Sequence, residues 1–133
     1  MRKTTKSIGD YGEEIAANYY KKDGYKIIER NYHASHNEID IIAENERFIV
    51  FVEVKTRSVL FVGASSFGRP ATAVNYEKRK RTVTAAQNYI INKKINKQPR
   101  IDVIEIYLKK KDKDDINPQE VLKINHIRNA FGR

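Results

Sequence analysis

The sequence has no cysteine and no apolar run of membrane-spanning length, and both absences narrow the function classes open to it. Without cysteine, disulfides and thiolate metal sites are excluded. Without an apolar stretch of about 20 residues, no membrane-spanning helix is expected. The basic residues 1–7 lead straight into an amphipathic helix pattern, so we do not interpret them as a signal peptide. We therefore expect a soluble, cytoplasmic protein with no membrane partner.

Acidic residues are missing from one long window, and this absence locates the positive charge of the chain. The formal net charge is +9, and the window from Lys78 to Arg100 has no Asp or Glu. Its basic residues are Lys78, Arg79, Lys80, Arg81, Lys93, Lys94, Lys97 and Arg100. Such a block fits contacts to nucleic-acid phosphates. A solvated face on an ordinary basic helix explains the same charge equally well.

What is present is the composition of a folded domain. With 133 residues, of which 40% are hydrophobic and 32% charged, the chain is long and apolar enough for a core of its own. We expect residues 1–133 to form a single domain.

Hydrophobic periodicity and end signals predict helix, three strands, helix and two strands. Ser7 is the expected N-cap of the first helix, and Gly24 ends it. This order indicates an α/β fold, with a mixed sheet of about five strands flanked by helices. The predicted helices cover 7–23 and 75–94, and the predicted strands cover 25–32, 38–43, 48–56, 101–108 and 120–127, with a long loop at 58–73.

Polar side chains interrupt two neighbouring apolar strands. Strand alternation places Glu53 and Lys55 on one side of their strand. It likewise pairs Glu38 with Asp40 on one side of the preceding strand, opposite the isoleucines at 39 and 41. The four polar groups are therefore expected to lie together at one edge of the sheet.

The connection between these strands tests whether Asp40 and Glu53 share a face. In an antiparallel pair they do so only if the two residue numbers of each directly opposed pair add up to an odd total. That requires a connection of two or four residues, or a bulge. The polar segment 44–47 suits an even loop, so a shared face is the expectation.

Carboxylates in this pattern suit metal-dependent phosphodiester hydrolysis. Asp40, Glu53 and the backbone carbonyl of Val54 would supply the oxygen ligands that Mg²⁺ or Mn²⁺ prefers. Lys55 would orient the attacking water or stabilise charge in the transition state. The carboxylates of Glu13 and Glu38 would complete the outer shell of the metal or hold a second ion. The alternative interpretation is a partly buried salt bridge without catalysis.

A family resemblance extends over nearly the whole chain. It is carried by Gly9, Gly12-Glu13, Ala16, Gly24-Tyr25, Arg30-Asn31, Glu38-Ile39-Asp40, Val50 to Arg57, Phe67-Gly68, Arg100, Asp102-Val103, His126-Ile127 and Ala130-Phe131. With these residues the chain resembles the YraN-type family of small bacterial proteins, which are related to archaeal Holliday-junction resolvases. The resemblance implies the restriction-endonuclease-like PD-(D/E)xK fold. It also implies a metal-nuclease centre at Asp40, Glu53 and Lys55, with Glu13 and Glu38 beside it.

One residue departs from that family pattern, because Asn37 stands where the family usually has glycine. Asparagine tolerates left-handed backbone conformations, so we expect a turn there to survive.

The resemblance implies an endonuclease that acts on branched or structured DNA, and symmetric cutting by resolvases makes a homodimer one expectation. Its expected phosphate contacts are Arg57, Lys78, Arg79, Lys80 and Arg81, although Arg57 fits a structural ion pair equally well. A nucleic-acid-binding protein with little hydrolysis is the second hypothesis. An RNA-associated protein with the same basic surface is the third.

Overall fold

The computed structural model describes residues 7–34, 36–61 and 76–130. The elements in chain order are α1 (Ile8–Lys22), β1 (Lys26–Ala34), β2 (Asn37–Glu44), β3 (Phe48–Val59), α2 (Tyr76–Lys93), β4 (Gln98–Lys109) and β5 (Glu120–Ile127). The predicted fold class is confirmed. Most of the loop predicted at 58–73 lies outside the described residues. Among the described helices, none is long and apolar enough to cross a membrane.

The five strands form one mixed sheet in the order β1-β2-β3-β4-β5. Strands β3 and β4 are parallel, and the other neighbours are antiparallel. A parallel pair needs a long crossover connection, and here α2 is part of it.

Helix α1 begins and ends where local signals predict. The Ser7 hydroxyl accepts a hydrogen bond from the Asp10 N–H at 3.0 Å. At the other end, Gly24 has a φ of 89°, a conformation that costs glycine little, and its N–H donates to the Lys21 carbonyl at 3.1 Å. Capping interactions therefore fix where helix α1 begins and where it ends.

The helices cover opposite faces of the sheet. Successive residues of β3 alternate, so that Val50 and Val52 join the cluster under α1 while Ile49 and Phe51 join the cluster under α2. All four are buried. Strand β3 thus has a core on both sides, which gives its neighbours fixed positions.

The largest differences from the predicted strand boundaries are at the end of β3 and the start of β4. Strand β3 continues through Ser58 to Val59, residues assigned above to the loop, because its pairing with β4 continues to Lys109. Strand β4 begins at Gln98, so Pro99 lies inside it. The Gln98 N–H donates to Arg47 on the β3 side, so the nitrogen of Pro99 faces the other side, where pairing with β5 has not yet begun. A proline that lacks an N–H costs no ladder hydrogen bond there.

The β2–β3 hairpin has the register that a shared face of Asp40 and Glu53 requires. Its directly opposed pairs run from Glu44–Ile49 to Ile41–Val52, and the two residue numbers of each pair add up to an odd total. The Asn45 N–H donates to the Phe48 carbonyl at 3.0 Å, which leaves only residues 46 and 47 in the loop. The even-loop expectation is confirmed, with two residues.

Candidate active site

The candidate site lies where β2 and β3 separate. Their ladder ends at Ile41–Val52, and at the next position the Asp40 side chain replaces a backbone partner. Its Oδ2 accepts the Val54 N–H at 2.8 Å. The N–H and C=O of one strand residue point to the same side, so the Val54 carbonyl also faces this gap. The gap therefore combines a carboxylate with a main-chain oxygen.

Strand β2 loses its regular alternation at Asp40. Ile41 packs in the cluster under α1, whereas Ile39 packs in the cluster under α2. The expectation that both isoleucines share the face opposite Asp40 is therefore wrong. In the β1–β2 register Asn31 falls opposite Asp40, and its φ of 53° is left-handed. This distortion, together with the missing β3 partner, lets the Asp40 carboxylate turn toward Val54.

Glu53 is held by two lysines. Its Oε2 lies 2.8 Å from the Lys55 Nζ and 3.1 Å from the Lys78 Nζ. Burial raises the pKa of Glu53, but the hydrogen bonds and charges of the two lysines outweigh it, so this pKa lies below its ordinary value. Glu53 is therefore an ionised carboxylate inside the protein.

Asp40 is shifted the other way. Burial raises its pKa, the Val54 N–H lowers it, and the charge of Glu53 raises it again. Lys78 lowers it and Glu38 raises it, and the net direction is upward. Paired carboxylates whose pKa values are pushed apart are a common feature of catalytic sites.

Glu13 reaches the same region from α1. Its Oε1 is buried and has no hydrogen-bond partner among the described residues. Burial raises its pKa, Asp40 raises it further, and Arg30 lowers it. A buried oxygen without a donor, close to other carboxylates, would be stabilised by a proton or an added cation.

A pocket opens over Asp40 and Glu53, whereas the predicted site residues Glu13 and Lys55 do not line it. The pocket also separates the predicted basic residues of α2 into two groups. Lys78 and Arg81 line the pocket, three residues apart on one side of α2, whereas Arg79 and Lys80 do not line it. The expected phosphate contact Arg57 is instead paired with the buried Glu105 at 3.2 Å. The remaining lining residues are His36, Asn37, Glu38, Ile39, Asp40, Val52, Glu53 and Thr82.

Sequence reasoning did not identify Thr82 as a lining residue, because it carries no motif signal, and it did not predict the contact of Lys78 with Glu53. It named Asn37 only as a departure from the family pattern. The spacing of Lys78 and Arg81 was the one available sign that they share a side of α2. Asn37 has no positive φ, and it pairs with Ala34 as the first residue of β2, so it does not need the left-handed tolerance of asparagine.

The donor set fits Mg²⁺ or Mn²⁺ at an open site. Among the described residues, no group of three or more His, Cys, Asp or Glu side chains is arranged to hold a metal ion. Mg²⁺ does not need such a group, because it keeps several waters and binds through one or two carboxylates. Asp40, Glu53 and the Val54 carbonyl would be that set, and the Glu13 carboxylate, whose buried Oε1 accepts no hydrogen bond from the described residues, would add negative charge from α1.

Comparisons with known proteins match most of this chain to members of one protein family. The sequence pattern of the family described as Uncharacterised protein family UPF0102 matches residues 12–106. A UPF0102 protein of Caldanaerobacter subterraneus subsp. tengcongensis is 44% identical over 98% of this chain and 100% of its own length. One from Clostridioides difficile is 45% identical over 95% of this chain and 97% of its own length. One from Clostridium perfringens is 46% identical over 80% of this chain and 84% of its own length.

Proposed function

The chain belongs to the uncharacterised protein family UPF0102, which is the YraN-type family that its motifs resemble, and we propose that it is a metal-dependent nuclease. The proposed reaction is hydrolysis of phosphodiester bonds in branched or otherwise structured DNA. A homodimer is part of the proposal, because symmetric cutting of a junction needs two sites.

One observation supports this function more than any other. At the end of the β2–β3 ladder, a carboxylate with a raised pKa lies next to one with a lowered pKa, and a lysine contacts the second. A salt bridge that served only stability would need Glu53 and its lysines, but it would not need a second, half-buried carboxylate, that of Asp40, beside them.

Each residue has a distinct role in the proposed reaction. Asp40, Glu53 and the Val54 carbonyl would hold Mg²⁺ or Mn²⁺, and the bound ion would supply a nucleophilic water at neutral pH and neutralise charge on the phosphate. Lys55 orients the attacking water from its place beside Glu53. Glu13 adds negative charge from α1, and Glu38 adds it from β2.

The surroundings of the site favour a polyanionic substrate. Lys78 and Arg81 line the pocket and give it two cationic side chains for backbone phosphates. No base-reading motif accompanies them, so recognition by shape rather than by sequence is the natural expectation.

Cleavage assays with matched variants test the proposal. Wild-type protein with Mn²⁺ should cut at least one member of a panel of single-stranded, duplex, flap and four-way DNA. Glu53→Gln and Lys55→Met should each lower the rate by on the order of 100-fold or more, because each removes a group that acts in the transition state. Glu46→Gln makes the same chemical change as Glu53→Gln at the exposed tip of the β2–β3 hairpin, and it should cleave like the wild type. Equal cleavage by all the variants would remove the site assignment.

A binding protein that does not hydrolyse its ligand is the second candidate, and one observation favours it. The two lysines already neutralise Glu53, so this carboxylate needs no metal for its stability. Calorimetric titration with Mn²⁺ separates the candidates, because only the nuclease must bind the ion. The same DNA panel, with RNA of matched sequence and salt, tests for an RNA-associated protein.

A further inference from the structure

Two ammonium groups share a single oxygen of the candidate site. Lys55 and Lys78 both contact Oε2 of Glu53, at 2.8 and 3.1 Å. Lys55 comes from the same strand as Glu53, whereas Lys78 comes from α2. The side chain of Lys78 is 46% exposed, compared with 34% for Lys55 and 9% for Glu53. Lys78 is therefore the more solvent-accessible of the two partners.

This arrangement cannot stay unchanged when a cation is bound. A divalent ion held by Asp40 and Glu53 would place two further positive charges next to both ammonium groups, and like charges repel strongly at such distances. Lys55 is constrained by its strand, two residues from Glu53. Lys78 has a flexible four-carbon stem in the first turn of a helix, and it can turn toward the pocket that it already lines.

We propose that Lys78 is an exchangeable counter-ion, which pairs with Glu53 in the metal-free protein and moves to a backbone phosphate of the substrate when a divalent cation is bound. This inference rests on the proposed metal-dependent function. Arg81 lines the same pocket and marks the place where that phosphate would lie. Metal and nucleic acid then assist each other, because each favours the same position of Lys78.

Metal affinity is the first test, and it needs no catalysis. Lys78→Met removes the competing charge, so its Mn²⁺ affinity measured by calorimetry should rise about fivefold, as expected for the loss of one partly exposed ion pair. Lys80→Met makes the same charge change on the same helix but outside the pocket, and its affinity should stay within about twofold of the wild type. Circular dichroism establishes that both variants are folded.

Chemical reactivity is the second test, and it follows Lys78 directly. Acetylation of the wild-type protein, read by peptide mass spectrometry, should become several-fold faster at Lys78 when Mn²⁺ is saturating, because the released amine is more accessible. Reactivity at Lys80 should not change.

The outcomes separate this inference from the function on which it rests. Mn²⁺ binding by Lys78→Met that is tighter than in the wild type supports the exchange, even if the protein cleaves no DNA. Equal or weaker binding by this variant overturns it, as does unchanged reactivity of Lys78. If neither wild type nor Lys78→Met binds Mn²⁺, both the exchange and the nuclease proposal are wrong.

Discussion

Asp102 is the residue that links the most distant parts of the chain. It has no exposed surface, and both of its oxygens accept hydrogen bonds from Arg100 at 2.9 Å. The Tyr20 hydroxyl donates to it at 2.8 Å, the Nε2 of His126 lies 2.8 Å away, and the Asn129 N–H donates at 2.9 Å. Burial raises the pKa of Asp102, but these partners outweigh burial and hold the pKa well below its ordinary range.

This depressed pKa predicts how stability depends on pH. The contribution of Asp102 is fully present above its unfolded pKa of about 4, and it is lost as the pH falls toward the folded pKa. Urea unfolding from about pH 3 to 7 should therefore show a free energy of unfolding that falls below about pH 4. Asp102→Asn should cost about 3 kcal/mol at neutral pH, because it leaves Arg100 buried without its charged partner. It should also flatten the acid dependence.

Asp114→Asn is the matched control for that experiment. Asp114 is exposed in the β4–β5 connection, so its loss should change neither the stability nor its acid dependence appreciably. If Asp102→Asn keeps the wild-type acid dependence, another carboxylate is responsible for it.

At the scale of elements, the contact between α1 and β3 determines where Glu13 lies. A Cβ added at Gly12 would lie 2.8 Å from the Thr56 Cβ and closer still to the Thr56 hydroxyl, so only glycine lets the helix approach this strand. Glu13 is the next residue, and its carboxylate reaches the surroundings of Asp40. The close approach of α1 is therefore part of the construction of the site.

Gly12→Ala should destabilise the protein by about 1–3 kcal/mol, because the methyl group overpacks the interface with Thr56. Gly9→Ala is the comparison, since its Cβ would meet only the Ser7 hydroxyl at 3.8 Å. That variant should be as stable as the wild type, or more stable by up to about 1 kcal/mol. Chemical denaturation of both variants measures the difference, and equal stability of the two would show that the close contact is relaxed at little cost.

At the scale of the whole molecule, the positions of the charges on α2 allow the proposed phosphate binding to be tested against simple solvation of a basic surface. The chain carries a formal net charge of +9, and α2 has basic residues at both ends. Only its N-terminal end adjoins the site pocket, through Lys78 and Arg81. Lys93 and Lys94 lie about 20 Å further along the helix direction. We therefore expect charges at the N-terminal end of α2 to contribute more to binding of the proposed substrate than charges at its far end.

Binding of four-way DNA should therefore weaken at least tenfold between about 50 and 200 mM salt. The double variant Arg79→Gln/Lys80→Gln should reduce the slope of log affinity against log salt, because it removes charges next to the pocket. Lys93→Gln/Lys94→Gln removes the same charge from the far end, and it should leave the slope nearly unchanged. Fluorescence anisotropy gives both slopes. Identical slopes for the two variants would instead favour a diffuse, solvated basic surface.

Features that depend on neighbours in sequence were predictable. The element order, the Ser7 cap, the Gly24 stop and the shared side of Glu53 and Lys55 follow from capping and strand periodicity. The parity of the β2–β3 hairpin followed from the polarity of its short loop. These signals are local, because they arise from backbone geometry over a few residues.

The assembly of the site depends on contacts between elements that are distant in sequence. Asp40 turns toward Val54 because β3 leaves β2 and because Asn31 adopts a left-handed conformation opposite it, and strand alternation predicts neither event. Lys78 reaches Glu53 only because α2 packs over the sheet beside it. Such contacts depend on the direction of side chains from elements far apart in the chain, and that direction is set by packing. Motifs and strand periodicity in the sequence therefore establish which polar side chains the candidate site can use and which strands carry them. Packing establishes which of those side chains meet.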